Sequence, residues 1–153
     1  MFKILFVCLG NICRSPMGEF ILKDMIHRAG RNEDFFIASA GTSSEEQGNG
    51  VYPPAKRELA KHGIDCTGKR AVRFCASDYE KYDYILCMEQ RNAEGVLRIA
   101  GGDPKGKVFR LLDFSARPRD IADPWYTGDF AAAYKDIEEG CLGFLNYLSE
   151  SEK

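Results

Sequence analysis

Cys8 and Arg14 are the two residues whose types and spacing first suggest chemistry. They lie in the run Cys-Leu-Gly-Asn-Ile-Cys-Arg-Ser at positions 8–15. A cysteine thiolate is a strong nucleophile, and a guanidinium group holds two oxygens of a phosphate-sized anion at once. Between them, Gly10 permits backbone conformations that other residues resist, and Asn11 tolerates a left-handed one. We therefore expect this run to wrap into a nest of N–H groups around an oxyanion that Cys8 attacks.

The residues on either side of this run predict a strand before it and a helix after it. Residues 2–7 are mostly apolar and partly β-branched, which is typical of a strand buried on both faces of a parallel sheet. Pro16 suits a first helical position, and basic residues followed by Gly30 mark the end of that helix. Anions bind at the carboxyl ends of parallel strands, where the next helix presents free N–H groups. The same helix terminus favours the Cys8 thiolate.

The rest of the chain alternates between strand-like and helix-like segments. Strand-like runs occupy 35–40, 84–88 and 107–112. Helical patterns end at Gly63, span 89–100 and continue from Phe130 to near the C-terminus, whereas 113–128 is expected to form a long loop. Strands that alternate with helices indicate a parallel α/β sheet, and the length fits one domain over residues 1–153.

Composition and charge argue against several classes of function. The 153 residues carry a net charge of −2 with a pI near 5.7, so no nucleic-acid partner is expected. The longest apolar run, residues 4–9, is far shorter than a membrane-spanning helix. The six cysteines include no C-x-x-C pair, and His27 and His62 have no ligand-spaced neighbours, so no metal is expected. We predict reduced thiols, a cytoplasmic location and no membrane partner.

Two segments together make the chain resemble a known family. They are Val7 to Pro16, which contains the run described above, and Asp123-Pro124-Trp125-Tyr126. Ser39-Ala40-Gly41-Thr42 and the segment 82–88 also stand in family-like positions. From Lys3 to about Leu148, the chain resembles the low-molecular-weight protein tyrosine phosphatases. The resemblance implies a flavodoxin-like α/β fold of three layers, in which a four-stranded parallel sheet of order 2-1-3-4 carries helices on both faces.

The resemblance also implies hydrolysis of phosphotyrosine in proteins, and of aryl phosphates, without a cofactor. In the family's mechanism, the residue matching Cys8 attacks phosphorus to form a phosphocysteine, Arg14 and the loop amides bind phosphate, and Asp123 is the general acid and base. Ser15 matches a serine that hydrogen-bonds the thiolate, and Asn11 and Ser39 match residues that support the loop. The expected substrate-binding residues are Leu9, Gly10, Asn11, Ile12, Cys13, Glu45, Trp125 and Tyr126.

Three positions leave a role open or differ from many family members. Cys13 is either an idle neighbour of Cys8 or its reversible disulfide partner, as the family's second cysteine is. Glu45 aligns with a position on the pocket rim that is often aromatic, and an acidic residue there disfavours acidic peptide substrates. Lys69 stands where a histidine commonly helps to hold the phosphate-binding loop, so we expect this loop to be braced differently.

Other functions on similar scaffolds are alternatives to hydrolysis. An arsenate reductase needs two further cysteines to relay a disulfide, and the chain has Cys87 but no cysteine at 89–94. A non-catalytic phosphotyrosine-binding module would have lost Cys8 or Asp123, and a flavin-binding electron carrier would not need Cys8 and Arg14. The expected partner is therefore a tyrosine-phosphorylated protein, and the chain is expected to be a monomer or to self-associate weakly.

Overall fold

The apolar run near the N-terminus forms a central strand of the sheet. In the computed structural model, which describes residues 1–151, this strand is β1 (Phe2–Cys8). The other strands are β2 (Phe35–Gly41), β3 (Tyr84–Cys87) and β4 (Val108–Arg110). The helices are α1 (Arg14–Arg28), α2 (Pro53–Lys61), α3 (Ala76–Lys81), α4 (Gln90–Ala100), α5 (Pro124–Thr127) and α6 (Phe130–Ser151). The last two residues of the domain predicted over 1–153 lie outside the described part of the chain.

The strands form one parallel sheet of order β2-β1-β3-β4. Cys8 at the end of β1 pairs with Gly41, and the preceding Val7 pairs with Cys87 at the end of β3. The carboxyl ends of these three strands therefore meet at one edge, from which the segment after Cys8 leaves the sheet. The predicted four-stranded parallel sheet of order 2-1-3-4 and the flavodoxin-like fold class are confirmed.

Alternate side chains of β1 enter different layers of the core, as the geometry of a strand requires. Ile4 and Phe6 pack in the cluster that α1 and α6 cover, whereas Leu5 and Val7 pack with residues of α3 and α4. Gly18 lets α1 approach the sheet closely, because a Cβ at that position would lie only 2.7 Å from the Phe6 ring. Helices therefore cover both faces of the sheet, which confirms the three predicted layers.

Short elements account for most differences between predicted and observed boundaries. α1 begins at Arg14 rather than Pro16, since proline is tolerated within the first helical turn, where backbone N–H groups lack helical partners. β4 is shorter than the predicted 107–112, because the chain turns into a 3₁₀-helix at Leu111–Phe114. The long loop predicted at 113–128 contains the four-residue α5, and the six-residue α3 has no counterpart among the predicted elements.

Two features of residues 1–151 concern membranes and metals. No helix in this range combines the length and the apolar character needed to cross a membrane. Nor does the same range contain three or more His, Cys, Asp or Glu side chains grouped so that they could hold a metal ion.

Candidate active site

The segment 8–15, here called the 8–15 loop, connects the end of β1 to the start of α1. Asn11 has a φ of 59°, the one left-handed conformation of a non-glycine residue within residues 1–151, as its side-chain type predicts. The expectation for Gly10 is wrong, because its φ is not positive. A Cβ at this position would lie 3.4 Å from Cγ of Glu46, an ordinary van der Waals contact, so Glu46 packs directly on Gly10.

The carbonyl groups of the 8–15 loop are bound by the segments that surround it. The carbonyl oxygen of Cys8 accepts from the Thr42 N–H at 3.0 Å, and that of Leu9 accepts from the Ser43 N–H at 2.9 Å. The next N–H of a trans peptide points opposite to the carbonyl. Fixing these carbonyls outward therefore turns the following N–H groups toward the inside of the loop. Gly41 makes this approach feasible, because a Cβ there would lie 2.7 Å from the Leu9 carbonyl oxygen.

The thiol of Cys8 is at the end of a hydrogen-bond chain with a defined direction. Asn11 Oδ1 accepts from the Val72 N–H at 3.0 Å, so its Nδ2 must face the other way. Asn11 Nδ2 donates to Ser15 Oγ at 2.8 Å and to Ser39 Oγ at 2.9 Å. Ser15 Oγ can donate its own proton either to Cys8 Sγ, 3.0 Å away, or to the Ala40 carbonyl oxygen, 3.3 Å away. The Asn11 N–H donates to Cys8 Sγ at 3.3 Å. The hydrogen-bond chain thus ends on the sulfur of the expected nucleophile.

The same hydrogen-bond chain continues beneath the loop to the buried carboxylate of Glu19. Ser39 Oγ donates to Glu19 Oε1 at 2.6 Å, and Lys23 Nζ lies 2.6 Å from Glu19 Oε2. Lys69 Nζ donates to the Ser39 carbonyl oxygen at 3.0 Å and lies 3.6 Å from Glu19 Oε1. Burial lowers the pKa of Lys69, and the Glu19 carboxylate opposes this shift. The loop is therefore braced from below by a lysine and a glutamate, and sequence reasoning missed Glu19 in this role.

Arg14 is fixed by three groups that come from distant parts of the chain. It is 1% exposed, and its Nη1 donates to the Ile121 carbonyl oxygen at 2.8 Å. Its Nη2 lies 3.3 Å from both Glu89 Oε1 and Asp123 Oδ2. Glu89 and the Ile121 carbonyl were not among the expected site residues. Glu89 had one usable signal, because it follows β3 at the carboxyl edge of the sheet, where ligand-binding residues collect.

Asp123 is held at the N-terminus of α5, over the 8–15 loop. Its Oδ1 accepts from the Trp125 N–H at 3.0 Å, while Oδ2 faces Arg14. This cap fixes the carboxyl group in one orientation, with Oδ2 directed toward Arg14. The structure thus brings together Cys8, Arg14, Ser15 and Asp123, the four residues expected to be catalytic.

A cavity of about 150 Å³ opens above the 8–15 loop. Its lining residues are Cys8, Leu9, Gly10, Ile12, Cys13, Arg14, Ser43, Glu45, Glu46, Asp123, Trp125 and Tyr126. Every expected substrate-binding residue lines it except Asn11, whose side chain lies buried behind the loop. Trp125 packs against Tyr52 with ring centroids 4.7 Å apart, and Tyr126 is largely exposed at the mouth. The cavity has Arg14 and Asp123 for the phosphate and the aromatic rings of Trp125 and Tyr126 on its lining, which suits an aryl phosphate.

Two further cysteines near the site are poorly suited to ionise. Burial raises the pKa of the Cys13 thiol to about 12, and the charges of Cys8, Asp123 and Glu46 add to the rise. Burial also raises the pKa of Cys87, which is fully enclosed at the end of β3. Cys13 and Cys87 therefore both remain protonated thiols near neutral pH.

Comparison with known proteins identifies relatives along almost the whole chain. Residues 3–153 match the family described as low molecular weight phosphotyrosine protein phosphatase. The low molecular weight protein-tyrosine-phosphatase YfkJ of Bacillus subtilis is 35% identical over 155 residues, covering 100% of this chain and 99% of that protein. The crystal structure of YfkJ superposes with a TM-score of 0.95 at 33% identity, over 100% of this chain and 98% of that one. A Drosophila arginine phosphatase gives 0.89 at 32% identity, over 96% and 98%.

Proposed function

The chain belongs to the low molecular weight phosphotyrosine protein phosphatases, and from this premise we propose that it hydrolyses phosphotyrosine in proteins through a phosphocysteine on Cys8. It is a protein-tyrosine phosphatase by family and by its relatives. One observation carries the proposal for the chemistry. Cys8 Sγ, paired with Ser15 Oγ at 3.0 Å, lines the same cavity as Arg14 and Asp123. A nucleophile, an anion-binding group and a proton donor thus line one cavity.

In the first step, the phosphate group of the substrate binds to the N–H groups of the 8–15 loop and to Arg14. These donors match the charge that phosphoryl transfer spreads over the three non-bridging oxygens. The Cys8 thiolate attacks phosphorus, the bond from phosphorus to the phenolic oxygen breaks, and Asp123 transfers its proton to that oxygen. The products are phosphocysteine, a free tyrosine side chain and an Asp123 carboxylate.

In the second step, water releases the phosphate from Cys8. The Asp123 carboxylate accepts a proton from the water while the water oxygen bonds to phosphorus. The bond between phosphorus and sulfur breaks, and the electron pair returns to Cys8 as a thiolate. The Ser15 hydroxyl, 3.0 Å from the sulfur, turns from the Ala40 carbonyl oxygen to donate to this leaving thiolate. Asp123 then carries a proton again, and the cycle is closed without a cofactor.

Asp123 must carry its proton when the first step begins. A phosphate dianion entering the cavity competes with Asp123 for the guanidinium of Arg14, 3.3 Å away. Loss of that partner and the approach of two negative charges both favour the neutral carboxyl group. We therefore expect kcat to be highest on the acid side of neutrality.

Two features of the structure weigh against the alternatives. A binding module has no use for a donor chain that ends on the sulfur of Cys8, yet Ser15, Asn11 and Ser39 form such a chain. An arsenate reductase must pass a disulfide to a reactive second cysteine. Cys87 is fully buried and its raised pKa disfavours the thiolate that such a relay needs.

The experiment is hydrolysis of p-nitrophenyl phosphate and phosphotyrosine between pH 4.5 and 8. We expect Cys8→Ser to abolish turnover and Asp123→Asn to lower kcat by about 10²- to 10⁴-fold. Cys75→Ser and Asp34→Asn serve as matched controls, because both side chains are exposed and lie outside the cavity. Retained phosphotyrosine binding without turnover would instead identify a binding module. Thiol-dependent arsenate reduction, or a preference for phosphoarginine, would overturn the substrate assignment.

A further inference from the structure

The charges around the cavity are divided between its base and its mouth. Arg14 is the one cationic side chain among the lining residues that the structure describes, and that side chain is 2% exposed at the base. Glu45 and Glu46, here called the acidic rim, also line the cavity, and Glu45 is exposed while Glu46 is half-buried. A substrate therefore meets negative charge first and positive charge only at the bottom of the cavity.

The acidic rim belongs to an ordered turn rather than to a loose loop. Glu46 Oε2 accepts from Asn49 Nδ2 at 2.7 Å, and the Gly48 N–H donates to the Ala71 carbonyl oxygen at 2.9 Å. Glu46 is half-buried against the 8–15 loop, since a Cβ on Gly10 would lie 3.4 Å from its Cγ. The carboxylate of Glu46 is thus fixed beside the loop that receives the phosphate.

The acidic rim has no cationic partner among the residues that the structure describes. Within residues 1–151, neither Glu45 nor Glu46 has a Lys, Arg or His nitrogen within 4.0 Å. The buried Glu19 and Glu58, by contrast, are each paired with lysine. Two uncompensated carboxylates at the mouth of a cavity that must accept a dianion slow the entry of an acidic ligand. They attract a ligand that carries its own cations beside the phosphate.

We propose that Glu45 and Glu46 select phosphotyrosine sites with lysine or arginine as immediate neighbours. The inference rests on the proposed function, because phosphotyrosine must enter the cavity to reach Cys8. The flanking residues of the substrate then lie at the mouth, within reach of the acidic rim. A basic flanking residue pairs with the acidic rim, whereas an acidic flanking residue is repelled by it. The substrate class is thus a basic phosphotyrosine segment.

The test compares kcat/KM for three phosphotyrosine peptides that differ only at the two positions flanking phosphotyrosine: lysine, alanine or glutamate. At low ionic strength we expect kcat/KM to be about tenfold higher for the lysine peptide than for the glutamate peptide. This ratio combines the attraction of exposed lysine charges with the repulsion of exposed glutamate charges. The ratio should fall toward one in 0.5 M salt, because screening then acts within a few ångströms.

Variants of the acidic rim assign the preference to these residues. Glu45→Gln with Glu46→Gln should remove most of the lysine-to-glutamate ratio, and Glu46→Lys should invert it, whereas Glu46→Asp should retain it. Glu33→Gln is the matched control, because this exposed glutamate precedes β2 at the opposite edge of the sheet. Equal kcat/KM for all three peptides would overturn the inference while leaving the phosphatase intact. Hydrolysis of p-nitrophenyl phosphate without hydrolysis of any of the peptides would instead overturn the proposal that the substrate is phosphotyrosine in a protein.

Discussion

Replacing Glu19 with glutamine tests whether a buried ion pair supports the 8–15 loop. Glutamine keeps the shape of the side chain. Its amide oxygen can still accept the hydrogen bond that Ser39 Oγ donates to Glu19 Oε1, at 2.6 Å, in the parent protein. It removes the negative charge that faces Lys69, whose side chain is 12% exposed. Leaving one member of a buried pair without its partner costs about 3–5 kcal/mol. Lys69 retains its hydrogen bond to the Ser39 carbonyl oxygen. We therefore expect a loss at the lower end of that range, about 3 kcal/mol in the free energy of unfolding.

Removing the other member of the pair, with Lys69→Met, is expected to lower the free energy of unfolding by less. Glu19 keeps the hydroxyl of Ser39 and the ammonium of Lys23, so its charge remains compensated. The loss is then mainly one hydrogen bond to the Ser39 carbonyl, about 1 kcal/mol. Because the two residues share one interaction, the double variant should lose less than the sum of the single losses, by about 2 kcal/mol.

Urea unfolding of the four proteins at one pH measures this cycle. With a slope near 2 kcal/mol per molar urea, Glu19→Gln should lower the midpoint by about 1.5 M. The control Glu33→Gln should leave the midpoint unchanged, since that side chain is exposed. A loss below about 0.5 kcal/mol for Glu19→Gln, or strictly additive losses in the double variant, would refute the role given to the buried pair.

Three further outcomes follow from the site. Burial lowers the pKa of Lys69 below its ordinary 10.5, so the unfolded chain binds more protons just below that pH. The free energy of unfolding should therefore rise with pH across this window, and urea titrations should show no such rise in Lys69→Met. Because the pKa of Cys13 is raised, a disulfide with Cys8 should protect activity from peroxide better at pH 8.5 than at pH 7. Equal thiol-recoverable activity in Cys13→Ser would exclude that disulfide. Gly41→Ala places a Cβ 2.7 Å from the Leu9 carbonyl, so kcat for p-nitrophenyl phosphate should fall at least tenfold, and an unchanged kcat would show that the 8–15 loop tolerates displacement.

Local pattern was enough to predict much of the fold and the centre of the site. The apolar strand before Cys8, the spacing from Cys8 to Arg14 and the left-handed tendency of Asn11 all depend on residues within a few positions of each other. The segment at Asp123 entered through the family resemblance, because nothing in local spacing brings it to Cys8. What the chain does locally was therefore predictable from its own residues.

The supporting residues escaped prediction because their roles depend on long-range contacts. Glu19 lies near the start of α1, where a carboxylate is ordinarily interpreted as a charge that favours the helix N-terminus. In the structure, β2 brings Ser39 into contact with it. Glu89 and the Ile121 carbonyl reach Arg14 only because the ends of two further segments meet at the same sheet edge. Glu46 differs from its neighbour Glu45 in packing on Gly10, a contact that sequence alone does not encode.

The central claim is that Cys8 carries the phosphoryl group between the two steps, and trapping that species tests it most directly. p-Nitrophenolate is a good leaving group and needs little help from Asp123, whereas the attacking water needs its carboxylate. Asp123→Asn should therefore accumulate phosphocysteine during turnover of p-nitrophenyl phosphate. Denaturation in alkali followed by mass analysis of peptides should place one phosphoryl group on Cys8. Release of p-nitrophenolate with no phosphoryl group on Cys8, or with the group on another residue, would contradict the account.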